Sequence, residues 1–196
     1  MSTHSTFTFS PRFGVLLLMI VLAAASRLVP HPYNFSPIDA MTLFGAAYFA
    51  QRWQAFFIPL AAAWLSDLFI NNVLYAEYYP HFTFFAEGSM WVYAGYVLIA
   101  LFGMTVLRSN TAGNRSGILR VAGSTVAAGL IFFLASNFGC WIGSTTYPQT
   151  LVGLGMCYVA GIPFYAGTLA GDMAYSALLF GSFAVLQARF PRLAVA

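Results

Sequence analysis

The sequence predicts an all-α, polytopic membrane protein with six transmembrane helices and a single integral membrane domain over residues 1–196. Two observations carry that expectation. Of the 196 residues, 60% are hydrophobic and only 7% are charged, with no lysine. A soluble domain carries about 25% charged residues, so this chain lacks the polar groups to cover a water-facing surface. The apolar residues also fall in continuous runs near the ~20 residues that a helix needs to cross the hydrocarbon core. A transmembrane β-barrel would show short alternating segments instead.

The first run, about 13–29, follows Arg12 and ends near the small-residue stretch Ala23 to Ser26, features shared with a secretory signal. Its apolar core is longer than a signal core, and Arg27-Leu-Val-Pro is a poor mature start, so it reads as helix one. The stretch RLVPHPYNFSPIDAM follows, rich in prolines and polar residues between two apolar segments. Helix two, about 37–50, is short, and is tilted, broken or only partly inserted. Helices three, four and five are expected at about 54–74, 88–107 and 118–142, with helix six at about 166–187. The segment Gly143 to Tyr165 is too long for a tight turn and too apolar for an exposed loop. Its Tyr147-Pro148 and Ile162-Pro163 steps bracket a short helix from Leu151 to Gly161, giving an outer capping or re-entrant element. The connector SNTAGNRSG reads as a flexible loop without a Walker motif.

The arginines orient the chain. With both termini cytoplasmic, Arg12, Arg52, Arg108, Arg115, Arg120, Arg189 and Arg192 all lie inside, as the positive-inside rule expects. Arg27 alone lies outside. All five acids, Asp39, Asp67, Glu77, Glu87 and Asp172, fall in the outer half. The net charge of +3 therefore reflects arginines at helix ends, not a nucleic-acid surface.

Helical spacing groups the outer polar residues into stripes. Trp64, Asp67 and Asn71 share one face of helix three; Glu87 and Trp91 share one of helix four. Asn137, Trp141 and Ser144 continue helix five, and Tyr165, Thr168, Asp172 and Ser176 form a stripe on helix six. Lipid cannot satisfy such groups, so the stripes should face inward and wall a shared outward-facing pocket. The alternatives remain open. Asp67 or Asp172 can pair with Arg27 purely to fix packing, and Trp91 and Trp141 can be interfacial anchors. The small residues Gly123, Ala127, Ala128, Gly129, Gly167 and Gly171 serve close helix packing or a docking face.

No metal or cofactor is expected. Cys140 and Cys157 lack a CxxC spacing, and neither His31 nor His81 has a second ligand one turn away. No GxSxG or HExxH arrangement suggests an enzyme.

The blocks RLVPHPYNFSPIDAMTLFGAAYF, LAAAWLSDLF and SNFGCWIGSTTYPQTLVGLGMCYVAGIPFYAGTLAGDMAYSALLFG, between Arg27 and about Gly181, carry a resemblance. They resemble an uncharacterised family of bacterial six-helix inner-membrane proteins. That family is similar in turn to the substrate-binding S components of energy-coupling-factor (ECF) vitamin transporters. The resemblance implies an S-component-like bundle that binds a micronutrient on the outer side and works with a membrane coupling subunit and ATPases. On that reading the ligand-binding residues are Arg27, His31, Asn34, Asp67, Trp91, Asn137, Trp141 and Asp172. Arg27 would meet a ligand carboxylate or phosphate, Asp67 and Asp172 would accept hydrogen bonds, and Asn34, Asn137, Trp91 and Trp141 would shape the pocket. One departure stands out: S components carry an AxxxA-type small-residue pattern on helix one for the coupling subunit, whereas here the small cluster Ala23 to Ser26 lies toward the outer end and the inner half reads Phe13-Gly-Val-Leu-Leu-Leu-Met. The other expectation is an accessory or assembly subunit of a larger membrane complex.

Overall fold

The computed structural model describes residues 10–108 and 115–194. It contains six α-helices: α1 (Pro11–Ser26), α2 (Ile38–Tyr48), α3 (Arg52–Phe69), α4 (Ser89–Val106), α5 (Arg115–Trp141) and α6 (Leu151–Arg189). No strand occurs among the described residues. A π-helical turn, Ile70–Leu74, extends α3, and short 3-10 turns follow at Ala76–Tyr78 and Pro191–Leu193. Among the described residues, four segments are long and apolar enough to cross a membrane: Arg52–Leu74, Ser89–Val106, Ser116–Trp141 and Leu151–Arg189. The connector SNTAGNRSG lies mostly, at 109–114, outside the described residues.

The bundle is built around its shortest member. All 11 residues of α2 are buried, and α2 packs against each of the other five helices. Apart from Asp39 and Thr42, its sequence, IDAMTLFGAAY, is apolar on every side, the pattern of a helix with no face toward solvent. At ~1.5 Å per residue it rises only about 16 Å, roughly half of a hydrocarbon core. Glycines set its close approaches. A Cβ on Gly45 would lie 2.6 Å from Pro59 Cγ of α3, and one on Gly103 of α4 would lie 2.9 Å from Ala46 Cβ. Phe44 meets Phe180 and Phe183 of α6 edge-on, at centroid distances of 5.4 and 5.6 Å.

The outward faces of the surrounding helices are apolar. Leu18 and Leu22 on α1, Phe57 and Leu65 on α3, Leu101 on α4, Leu130 on α5 and Leu178 on α6 are all exposed. Exposed aliphatic surface on several neighbouring helices is costly in water and at home in lipid.

The two ends of the bundle differ. At one end Arg12 donates to Leu193 O (2.8 Å), Ala194 O (3.1 Å) and Tyr48 O (3.0 Å), tying the start of α1 to the end of α2 and the C-terminal turn. Arg108 reaches Ala50 O at the same end. The opposite end holds Arg27, the loop from Arg27 to Pro37, and the connections after α3 and α5.

The largest difference from the sequence reading concerns α6. The expected capping segment, residues 143–165, is not a separate element; residues 143–150 form a turn and Leu151 opens a helix of 39 residues. Helix six therefore begins 15 residues before the expected Ala166, and the Ile162-Pro163 step lies inside it. Thr150 caps its start by accepting from Gly153 N at 3.2 Å. Proline inside a long apolar helix is tolerated where surroundings support the freed backbone group. The preceding turn is organised by Gln149. Its Nε2 donates to Trp141 O (2.7 Å), Ser144 O (3.3 Å) and Tyr147 O (3.2 Å), and its Oε1 accepts from Gly143 N (3.2 Å).

Candidate functional site

The loop joining α1 to α2 lies against α6, and two glycines make this possible. A Cβ on Gly167 would sit 2.5 Å from Tyr33 O, and one on Gly171 would sit 2.9 Å from Ser36 N. The loop turns through Asn34, whose φ of 58° is in the left-handed region that asparagine enters more readily than most residues. Asn34 Nδ2 donates to Phe164 O at 3.4 Å, and the Tyr33 and Phe164 rings meet with centroids 5.8 Å apart. The small residues on α6 are thus spent on seating a loop of the same chain.

Beneath this loop is a cavity of about 370 Å³. The loop contributes Arg27, Tyr33, Asn34 and Ser36, α2 contributes Ile38 and Asp39, and α4 contributes Tyr96. Phe132, Phe133, Ser136 and Asn137 come from α5, and Gly161, Phe164, Tyr165, Thr168 and Asp172 from α6. The volume falls in the usual range for a small-molecule site, ~300–1,000 Å³. Its aromatic walls are themselves packed. Tyr96 stacks on Phe132 with centroids 5.4 Å apart and planes 5° from parallel, and Phe133 meets Tyr165 at 5.3 Å.

The charged groups around the cavity divide into two sets. On one wall Arg27 Nη2 lies 2.7 Å from Asp67 Oδ1. Arg27 Nη1 also donates to Ser66 Oγ and, at 3.3 Å, to Ala63 O. Asp67 Oδ2 accepts from Tyr93 OH at 2.6 Å. This set joins α1, α3 and α4 and is electrically closed. On the other wall are Asp39, 4% exposed, and Asp172, 1% exposed. Both side chains line the cavity. The Oδ2 atoms of both, and Ser36 Oγ, are buried without a hydrogen-bond partner. Leaving such an acceptor unsatisfied costs about 1–3 kcal/mol, and a ligand or water is one physical explanation for it.

The eight residues expected at the site take different places. Arg27, Asn34, Asn137 and Asp172 line the cavity. Asp67 stands behind Arg27 as its ion-pair partner. Of the stripes, Tyr165, Thr168 and Asp172 line the cavity, whereas Ser176 is buried against Thr125 Oγ1 at 2.9 Å. His31 is exposed, its Nδ1 3.0 Å from Pro32 O. Trp91 packs in the α4–α5 contact: a Cβ on Gly139 would collide with it at 2.3 Å, and Phe138 lies 4.9 Å away. Trp141 donates to Pro148 O at 2.9 Å, holding the turn before α6. Neither tryptophan lines the cavity.

The sequence reading passed over Asp39, Tyr96, Phe132 and Phe133 as site residues. Asp39 had a signal, since an acid in the first turn of an otherwise apolar short helix needs a partner. The three aromatics had none, because aromatic residues occur throughout the chain.

No curated protein and no solved structure matches the chain. The model of DUF6580, a family of unknown function, matches residues 7–193, and the chain belongs to that family.

Proposed function

We propose that this chain is a membrane-embedded small-molecule-binding subunit of an ECF-type uptake system. In this reading it lies in the bacterial inner membrane as a six-helix bundle with both termini cytoplasmic and the cavity on the outer side. Helix α2, 11 residues long, crosses only part of the bilayer, with protein around it on every side. The ligand is a micronutrient-sized molecule, and the partners are a membrane coupling subunit and ATPases. The arginine-rich end, with Arg12, Arg52, Arg108 and Arg192, faces the cytoplasm under the positive-inside rule.

One observation carries the reading: a cavity of about 370 Å³ with aromatic walls, whose lining residues Ser36, Asp39 and Asp172 each hold a buried oxygen without a hydrogen-bond partner. Three partnerless oxygens on residues that line one cavity support a polar ligand there. The test is a thermal-shift screen of the purified chain against a micronutrient panel. Stabilisation by one chemical class supports the proposal, and a flat response across the panel contradicts it.

The closed Arg27–Asp67–Tyr93 set favours a second reading, an accessory or assembly subunit, since those groups fix three helices with nothing bound. Pull-down in mild detergent separates the two. A coupling subunit with ATPases supports uptake, and another stable complex supports assembly.

A further inference from the structure

We propose that the cavity takes a compact organic cation with N–H donors, such as an amine or amidine, held between the Asp39–Asp172 pair and the aromatic walls. The inference rests on the cavity being a ligand site and names the class of ligand.

Charge points to a cation. Of the three charged side chains lining the cavity, Arg27 is matched by Asp67, and its guanidinium is also engaged by Ser66 and Ala63 O. That leaves it poorly placed as the counter-ion for a ligand carboxylate or phosphate. Asp39 and Asp172 have no basic partner among the described residues, and each keeps one oxygen free of any donor. A buried carboxylate is costly unless an opposite charge and hydrogen-bond donors accompany it, and an N–H-bearing cation supplies both.

The walls agree. Tyr96, Phe132, Phe133 and Tyr165 present aromatic rings to the same space. Ring faces attract cations, and more strongly where water is excluded. A bare divalent metal is a poorer fit. It wants six or more oxygen ligands, or a compact set of His, Cys and carboxylate groups, and among the described residues no third such side chain joins the pair.

The test uses three probes of nearly one shape: benzamidine, a cation; benzamide, neutral; and benzoate, an anion. Binding to the purified full chain in detergent at pH 7 is followed by ligand-observed NMR. Benzamidine is expected to bind at least tenfold tighter than either other probe, and Asp172→Asn to bring the ratio to about threefold or less. Should Asp172→Asn not fold, Gly129→Ala serves, because its Cβ would lie 3.0 Å from Asp172 Oδ2 and press on that carboxyl. Benzoate binding tightest, or a benzamidine preference unchanged in the Asp172 or Gly129 variant, overturns the cation assignment and leaves the cavity a ligand site. Failure of all three probes also overturns it, whereas the broader site reading falls only if the micronutrient panel is flat as well.

Discussion

Arg27, just past the end of α1, and Asp67 of α3, 40 residues apart in sequence, meet at 2.7 Å and neutralise each other at the edge of the cavity. The pair is only partly buried, with side chains 14% and 23% exposed. The pairing neutralises Arg27 on the cavity wall, where Asp39 and Asp172 are the charged side chains without a basic partner among the described residues.

Breaking that pair from one side should destabilise the protein. Asp67→Asn leaves the Arg27 guanidinium without its counter-charge and weakens the acceptor for Tyr93 OH. With the partial exposure of both groups, the expected cost is about 1–3 kcal/mol, below that of a fully buried pair. Thermal unfolding in detergent should show a lowered Tm. The double variant with Arg27→Gln should recover part of the loss. A double variant whose loss equals the sum of the two singles would show that the residues do not interact.

Glycine positions should separate sharply by what they face. Gly171→Ala pushes a methyl to within 2.9 Å of Ser36 N and should loosen the loop from Tyr33 to Ser36, seen as faster hydrogen exchange there. Gly14→Ala meets nothing within 4 Å and should be neutral or stabilising by about 0.5–1 kcal/mol, from helix propensity alone. Equal Tm changes in the two variants would refute the seating of the loop on α6.

Phe44 anchors α2 against α6, and its side chain is fully buried. Phe44→Ala should cost about 3–5 kcal/mol, the range for deleting a core aromatic. Failure to purify a folded variant, or a large drop in Tm, is the expected outcome. A change of a degree or two would mean that α2 is not the centre of the bundle.

Labelling checks orientation. Cys140 is exposed near the C-terminal end of α5, the end proposed to face outward, while Cys157 is buried. In spheroplasts, a membrane-impermeant maleimide should modify a chain that keeps Cys140 and carries Cys157→Ser, and should spare a cysteine added after Ala196. The reverse pattern would invert the proposed topology.

How much of this was legible in the sequence depends on whether a feature is local. The stripe of Tyr165, Thr168 and Asp172 follows from helical spacing alone, and these three residues share the cavity wall. The polar loop from Arg27 to Pro37 was legible as an interruption between apolar runs. Which aspartate Arg27 chooses was not, because it depends on how α3 and α6 are rotated about their axes. Asp39 read as a surface acid at a helix start, since nothing local shows that five helices wrap α2. The continuity of α6 through Pro163 was hidden for a related reason. A proline signals a break locally, and only the surrounding bundle decides whether the helix continues.

Native mass spectrometry of the purified chain, beside a Thr168→Trp variant that fills the cavity, tests whether the cavity holds a small molecule. A small molecule is expected on the native chain and not on the variant, with both proteins folded. Identical spectra, with the same adduct in both or no adduct in either, would contradict it.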